Sequence, residues 1–247
     1  MSPPSALIMG GSSGIGEATA AAFLDGGASV VVTARRADRL DSACERLRRV
    51  RPNAQVEART VDATDPDQVR RLFAELATID YLVLALSGAS GAGALRQLDL
   101  DDLRAGLEGK TLPYIACVQL ALPSMRADGS ITMVTAGSAQ SLLPGTAGLA
   151  AVNGALEAMV RPLALELAPI RINAVSPGVI DTPWWDAMPA DRRDAMQRSA
   201  ADACPVGRIG RPEEVGRLIY ALATNGFITG VVVPCDGGLR LTAGRAA

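Results

Sequence analysis

Short runs of branched apolar residues alternate with longer amphipathic stretches along the whole 247-residue chain. The runs fall at 6–9, 29–33, 56–60, 81–86, 130–135, 171–176 and 231–233. They are too short for helices and rich in Val, Ile and Leu, which predicts strands buried on both faces. Between them, apolar spacing predicts helices over 16–25, 37–49, 66–77, 101–125, 148–167 and 212–223. Asp65 is placed to cap the third helix, with Pro66 in its first turn. The helix over 148–167 carries Leu149, Val152, Leu156, Met159, Leu163 and Leu167 on one stripe, suited to core packing or to a second copy of the chain. Strands alternating with helices imply right-handed crossovers. The expected fold is α/β, a doubly wound parallel sheet of about seven strands with helices on both faces. No linker or repeat divides the chain, so 1–247 reads as one domain.

The first strand runs into Gly10-Gly11-Ser12-Ser13-Gly14-Ile15-Gly16. A strand, a glycine turn and a helix start together form the cradle of a dinucleotide pyrophosphate in a Rossmann-type fold. The helix N-terminus offers unpaired N–H groups and a partial positive charge. The second strand ends at Ala34-Arg35-Arg36, where an NAD site would carry an acid for the ribose 2′-hydroxyl. Arg35 and Arg36 instead suit a 2′-phosphate. NADP(H) is therefore expected in preference to NAD(H).

Composition narrows the classes. The net charge is −2 with no basic patch, so no nucleic-acid partner is expected. No apolar run approaches the ~18 residues of a membrane span, and no leader is recognised near Met1, so a cytoplasmic protein is expected. The four cysteines are scattered and histidine is absent, so no metal site is expected and histidine acid–base chemistry is excluded. Of the 24 basic residues, Lys110 is the single lysine.

Over nearly its whole length the chain resembles the short-chain dehydrogenase/reductase family. The spacing of Gly10, Gly14 and Gly16 matches, with Met9 where the family usually has threonine. Val61-Asp62-Ala63-Thr64 resembles the family's aspartate motif, which implies contact of Asp62 with the adenine amino group. Ser87 and Gly88 fall in the segment matching the family's NNAG. Arg171 to Pro183, including Pro177 and Gly178, resembles the segment that implies Thr182 and the backbone of Ile180 as partners of the nicotinamide carboxamide. Residues 207–215, 229–230 and 236–238 resemble its C-terminal signature. The resemblance also implies a homodimer or homotetramer, and a substrate-covering segment at about 183–203 that contains Trp184, Trp185, Met188 and Met196.

The family's chemistry uses a tyrosine and a lysine four apart on one helix, a serine after the fifth strand and an asparagine on the preceding long helix. Alignment places Leu149, Asn153, Ala136 and Lys110 at those positions. Leucine cannot donate a proton, a step contributing about 10²–10⁴-fold. Lys110 and Asn153 look like the family's asparagine and lysine exchanged between facing walls. Lys110 is thus the candidate for electrostatic pull on a substrate oxygen, or for the proton itself. Ser138 or Thr135 is the candidate hydroxyl. Tyr114 shares a helix face with Lys110 unless Pro113 disturbs that helix. The leading expectation is an NADP(H)-dependent oxidoreductase acting on a small, partly apolar carbonyl or alcohol. A dinucleotide-binding sensor or partner subunit without turnover stays open. So does a non-redox enzyme using Lys110 for elimination or isomerisation.

Overall fold

The computed structural model describes residues 3–88 and 90–242. Seven strands form one parallel sheet: β1 (Ser5–Met9), β2 (Ser29–Ala34), β3 (Val56–Thr60), β4 (Ile79–Leu84), β5 (Met125–Val134), β6 (Arg171–Pro177) and β7 (Val232–Cys235). Their order is β3-β2-β1-β4-β5-β6-β7. The winding reverses between β1 and β4, so a crevice opens beyond the C-terminal ends of those two strands. In register, Met9 pairs with Thr33 on one side and Leu84 on the other.

Alternation along each strand builds two cores. Leu7 and Met9 face one layer with Val69, Leu72 and Phe73 of α3 (Pro66–Glu75), Tyr114 and Cys117 of α5 (Leu112–Ala121), and Leu156 and Val160 of α6 (Ala147–Glu166). Ala6 and Ile8 face the other layer, with Phe23 of α1 (Gly14–Asp25), Leu40 and Leu47 of α2 (Ala37–Val50), and Val215 and Ile219 of α8 (Pro212–Thr224). Phe23 packs between the rings of Tyr81 and Tyr220, with centroids 5.3 and 5.2 Å away. Asp65 caps α3 as expected, accepting from the N–H groups of Asp67 and Gln68 at 2.9 and 3.3 Å.

Several boundaries differ from the sequence expectation. The helix expected over 101–125 is three pieces: α4 (Leu100–Gly106), a π turn (Leu107–Thr111) and α5. Pro113 lacks the N–H that a regular turn needs, and its ring crowds the carbonyl four residues back, so the backbone widens just before it. Pro123 then ends α5 in a short 3-10 turn, and Met125 already belongs to β5. β4 spans 79–84 rather than 81–86, so Ala85 and Leu86 lie beyond the sheet edge. On α6 the buried line is Val152, Leu156, Val160 and Ala164; Met159 and Leu163 are half-buried and Leu165 is exposed. The segment after β6 forms a 3-10 turn (Pro183–Ala187), with Asp186 exposed, and then α7 (Ala190–Ala203), a helix without a fully buried residue that leaves Asp191, Asp194 and Arg198 in water.

Candidate functional site

The glycine turn after β1 meets Ala85 beyond β4 and Thr182 beyond β6 at the crevice. Gly10 and Gly14 have φ of +90° and +54°, the left-handed region that glycine alone enters cheaply. A Cβ on Gly16 would lie 2.0 Å from the Gly10 carbonyl oxygen, so the turn closes only over hydrogen. Ser13 precedes α1 in extended conformation and makes no side-chain cap, which leaves the first-turn N–H groups for an anion. Thr182 reaches this loop from the far wall: a Cβ on Gly14 would sit 3.1 Å from its Cγ2. Ile180 is buried, and its carbonyl accepts from the Trp185 indole N–H at 2.8 Å. Pro177 ends β6 and Gly178 follows it against Asp236.

The two arginines after β2 are not equivalent. Arg36 is bound through its guanidinium to Asp38, both groups well exposed. Arg35 is exposed and makes no ion pair among the described residues. Asp62 accepts from the N–H and hydroxyl of Thr64 at 3.0 and 2.7 Å, which fixes its carboxylate at the mouth of β3; Ala63 beside it is buried. Ser87 lies exposed on the segment after β4.

Lys110 is the singular group. The π turn carries it inward until only 5% of it is exposed. Its Nζ donates to Asn153 Oδ1 at 2.8 Å and to the Thr135 carbonyl at 3.2 Å. An ammonium has no acceptor, so the Asn153 oxygen must face it and the amide nitrogen must face away. That nitrogen donates to Ser138 Oγ at 3.2 Å and to the Leu149 carbonyl at 3.1 Å. An ordered chain results, from ammonium to amide to hydroxyl. Burial pulls the Lys110 pKa down from 10.5 to about 8, with Glu157 opposing the shift. At pH 7 the group therefore remains mostly charged.

The neighbours sort themselves by their bonds. The Thr135 hydroxyl lies 2.8 Å from Glu157 Oε1 and 3.2 Å from the Val175 carbonyl, so it is turned into the protein. Of the two hydroxyl candidates, Ser138 alone is half-exposed. Tyr114 is fully buried. Its hydroxyl lies 2.8 Å from the Val134 carbonyl and its ring centroid 5.8 Å from Lys110 Nζ. Burial raises its phenol well above 10, so it packs and polarises rather than donating a proton. Glu157, which joins Thr135 to Gln140, was not foreseen. Its signal was the spacing Leu149, Asn153, Glu157, one face of α6 at four-residue intervals.

A separate cavity of about 200 Å³ lies behind Ile180, between Cys204, Arg208, Glu214 and Cys235. Neither Lys110 nor Ser138 lines it, so it is distinct from the site above. The cysteines are all free, and the described residues hold no cluster of three metal-binding side chains. No helix of the described residues is long and apolar enough to cross a membrane.

Comparison with known proteins supplies the context. Residues 10–240 match the family model described as enoyl-(acyl carrier protein) reductase. A short-chain dehydrogenase/reductase of Stachybotrys chlorohalonatus is 31% identical over 96% of this chain and 97% of its own. Among solved structures, a small-chain dehydrogenase in complex with NADPH superposes with a TM-score of 0.81 at 25% identity, covering 97% of this chain and 99% of that one. A short-chain oxidoreductase from Pseudomonas aeruginosa PAO1, described as containing an atypical catalytic center, superposes at 0.86 with 29% identity, covering 99% and 98%.

Proposed function

The chain belongs to the short-chain dehydrogenase/reductase family, and on that premise we propose that it is an NADP(H)-dependent oxidoreductase interconverting a carbonyl and an alcohol with a rebuilt acid site. The observation that carries this reading is the chain from Lys110 Nζ through Asn153 to Ser138 Oγ, at 2.8 and 3.2 Å. The family's tyrosine and lysine positions hold Leu149 and Asn153. The NADPH complex of one relative and the atypical centre of another support the cofactor and the departure respectively.

The uncapped start of α1 and the glycine turn fit a pyrophosphate. Arg35 would meet the 2′-phosphate, Asp62 the adenine end, and Thr182 with the Ile180 N–H the carboxamide. The dinucleotide, when bound, supplies the hydride. The remaining chemistry is this chain's own. Negative charge that gathers on the substrate oxygen is met by the Ser138 hydroxyl, one lone pair of which is engaged by Asn153; its proton passes to that oxygen and is replaced from water, to which the half-exposed Ser138 is open. The Asn153 amide is polarised by the ammonium, so the hydroxyl is a stronger donor than a lone serine. Ser138 is the catalytic residue. Lys110 and Asn153 act through it, as positioning groups that hold positive charge behind the oxygen. An already cationic iminium substrate is disfavoured by that charge.

Single-turnover oxidation of bound NADPH across a panel of ketones and aldehydes tests the reading. Ser138→Ala and Lys110→Met should each slow the oxidation by about 10²-fold or more. Rates within threefold of the parent in both variants would remove the chain from the mechanism. NADPH that binds but is oxidised by no carbonyl would favour a dinucleotide-binding protein without turnover.

A further inference from the structure

The walls beside Ser138 are unusual in what they lack. From Leu84 to Leu95 and from Thr135 to Leu156 the sequence contains no Asp, Glu, Lys or Arg, in a chain that is 20% charged. Both stretches leave the C-terminal ends of neighbouring strands, β4 and β5, and so flank the reacting position. They are also joined to each other: the Gly93 N–H donates to the Gly145 carbonyl at 2.8 Å.

At the outer edge of these walls three leucines stand in water. Leu95, Leu142 and Leu143 are 76%, 69% and 61% exposed. Slack does not explain this. The Leu143 N–H donates to Ser141 Oγ at 3.1 Å, and the Thr146 hydroxyl donates to the Leu143 carbonyl at 2.6 Å. The turn between Ser138 and α6 is thus held in shape while displaying its two largest apolar side chains. Exposed apolar groups on adjoining turns mark a binding surface.

We propose that Leu95, Leu142 and Leu143 form a lip that seats an extended apolar body of the substrate, the carbonyl or alcohol lying at its inner end beside Ser138. This rests on the reading of Ser138 given above. The carboxylates that reach these walls from outside, Asp102 on the Gly91 N–H and Glu157 on Thr135 and Gln140, are both negative and disfavour a small polyanion, and a sugar would meet only scattered neutral side chains such as Ser and Gln. A hydrocarbon chain or flat ring system loses nothing there, and each methylene laid on the lip leaves water.

The test is a homologous series of straight-chain primary alcohols, butan-1-ol to decan-1-ol. Binding is followed by the fluorescence of the two tryptophans, Trp184 and Trp185, in the full-length protein with saturating NADP⁺. The dissociation constant should fall about threefold to fourfold per added methylene. In the double variant Leu142→Ser/Leu143→Ser, both positions being exposed, the increment should shrink toward onefold over the longer members. A flat series in the parent overturns the proposal, as does an unchanged increment in the variant. So does an increment lost only together with a shift in oligomeric state, which would make the lip a contact between copies. If the increment is present but no carbonyl oxidises bound NADPH, the lip stands and the proposed activity falls. Turnover without the increment gives the reverse.

Discussion

Lys110 carries the argument at the scale of single residues. A buried ammonium forfeits hydration worth several kcal/mol, and it is tolerated only when acceptors replace the water. Here a carbonyl and an amide oxygen do so. That Lys110 and Asn153 face each other was legible from their aligned positions. That Ser138 is tied to Lys110 through Asn153 was not, because the direction of an amide is decided by tertiary packing. Thr135 and Ser138 looked equivalent as residue types; only the position of Glu157 separates them. The two arginines after β2 are separated by the same kind of detail. Arg36 already holds Asp38, whereas Arg35 has no carboxylate to release among the described residues. Arg35→Ala should weaken NADPH binding tenfold or more and change NADH binding little, as measured by titration of each cofactor. Arg36→Ala should have the smaller effect. Equal losses for the two cofactors would show that Arg35 does not read the 2′-phosphate.

At the scale of elements, period and punctuation were good guides where local chemistry rules. β3 and the cap of α3 were read from Val56–Thr60 and from Asp65-Pro66 alone. The long helix was misread because helical spacing persists across Pro113, while the backbone answers the missing N–H with a π turn. That turn is what carries Lys110 inward, so the irregularity coincides with the site. The start of α8 offers a cleaner test of local energetics. Glu214 accepts from the Arg211 N–H at 2.8 Å and binds the Arg208 guanidinium at 2.6 and 2.9 Å. These bonds hold its carboxyl down at about 2. With its folded pKa below the ordinary 4.5, Glu214 contributes stability above pH 4.5 that is lost as pH falls toward about 2. Glu214→Gln should therefore cost about 1 kcal/mol at pH 7 in denaturant unfolding, and the difference from the parent should close on acidification. A constant difference down to pH 2 would assign the loss to packing instead.

At the scale of the whole molecule, the reversal of winding between β1 and β4 gathers groups from distant parts of the chain. Gly14, Lys110, Ser138 and Thr182 follow four different strands. The alternation of strands and helices was enough to foresee this sheet, since each crossover helix lies over a face of the parallel strands it joins. It could not foresee that Leu95, Leu142 and Leu143 stay exposed, because exposure depends on which neighbours the turns hold away. In the proposed reaction, positive charge on Lys110 drives the chemistry at Ser138. The most direct test of this is the pH dependence of single-turnover NADPH oxidation, in the parent protein and in Lys110→Met. The Lys110 pKa of about 8 lies below the ordinary 10.5, so the ammonium disappears as pH rises through about 8. The parent rate should fall there, approaching tenfold per pH unit, while the slow residual rate of Lys110→Met stays level from pH 7 to 9.5. A parent rate level across that range, or the same fall in the variant, would contradict the account.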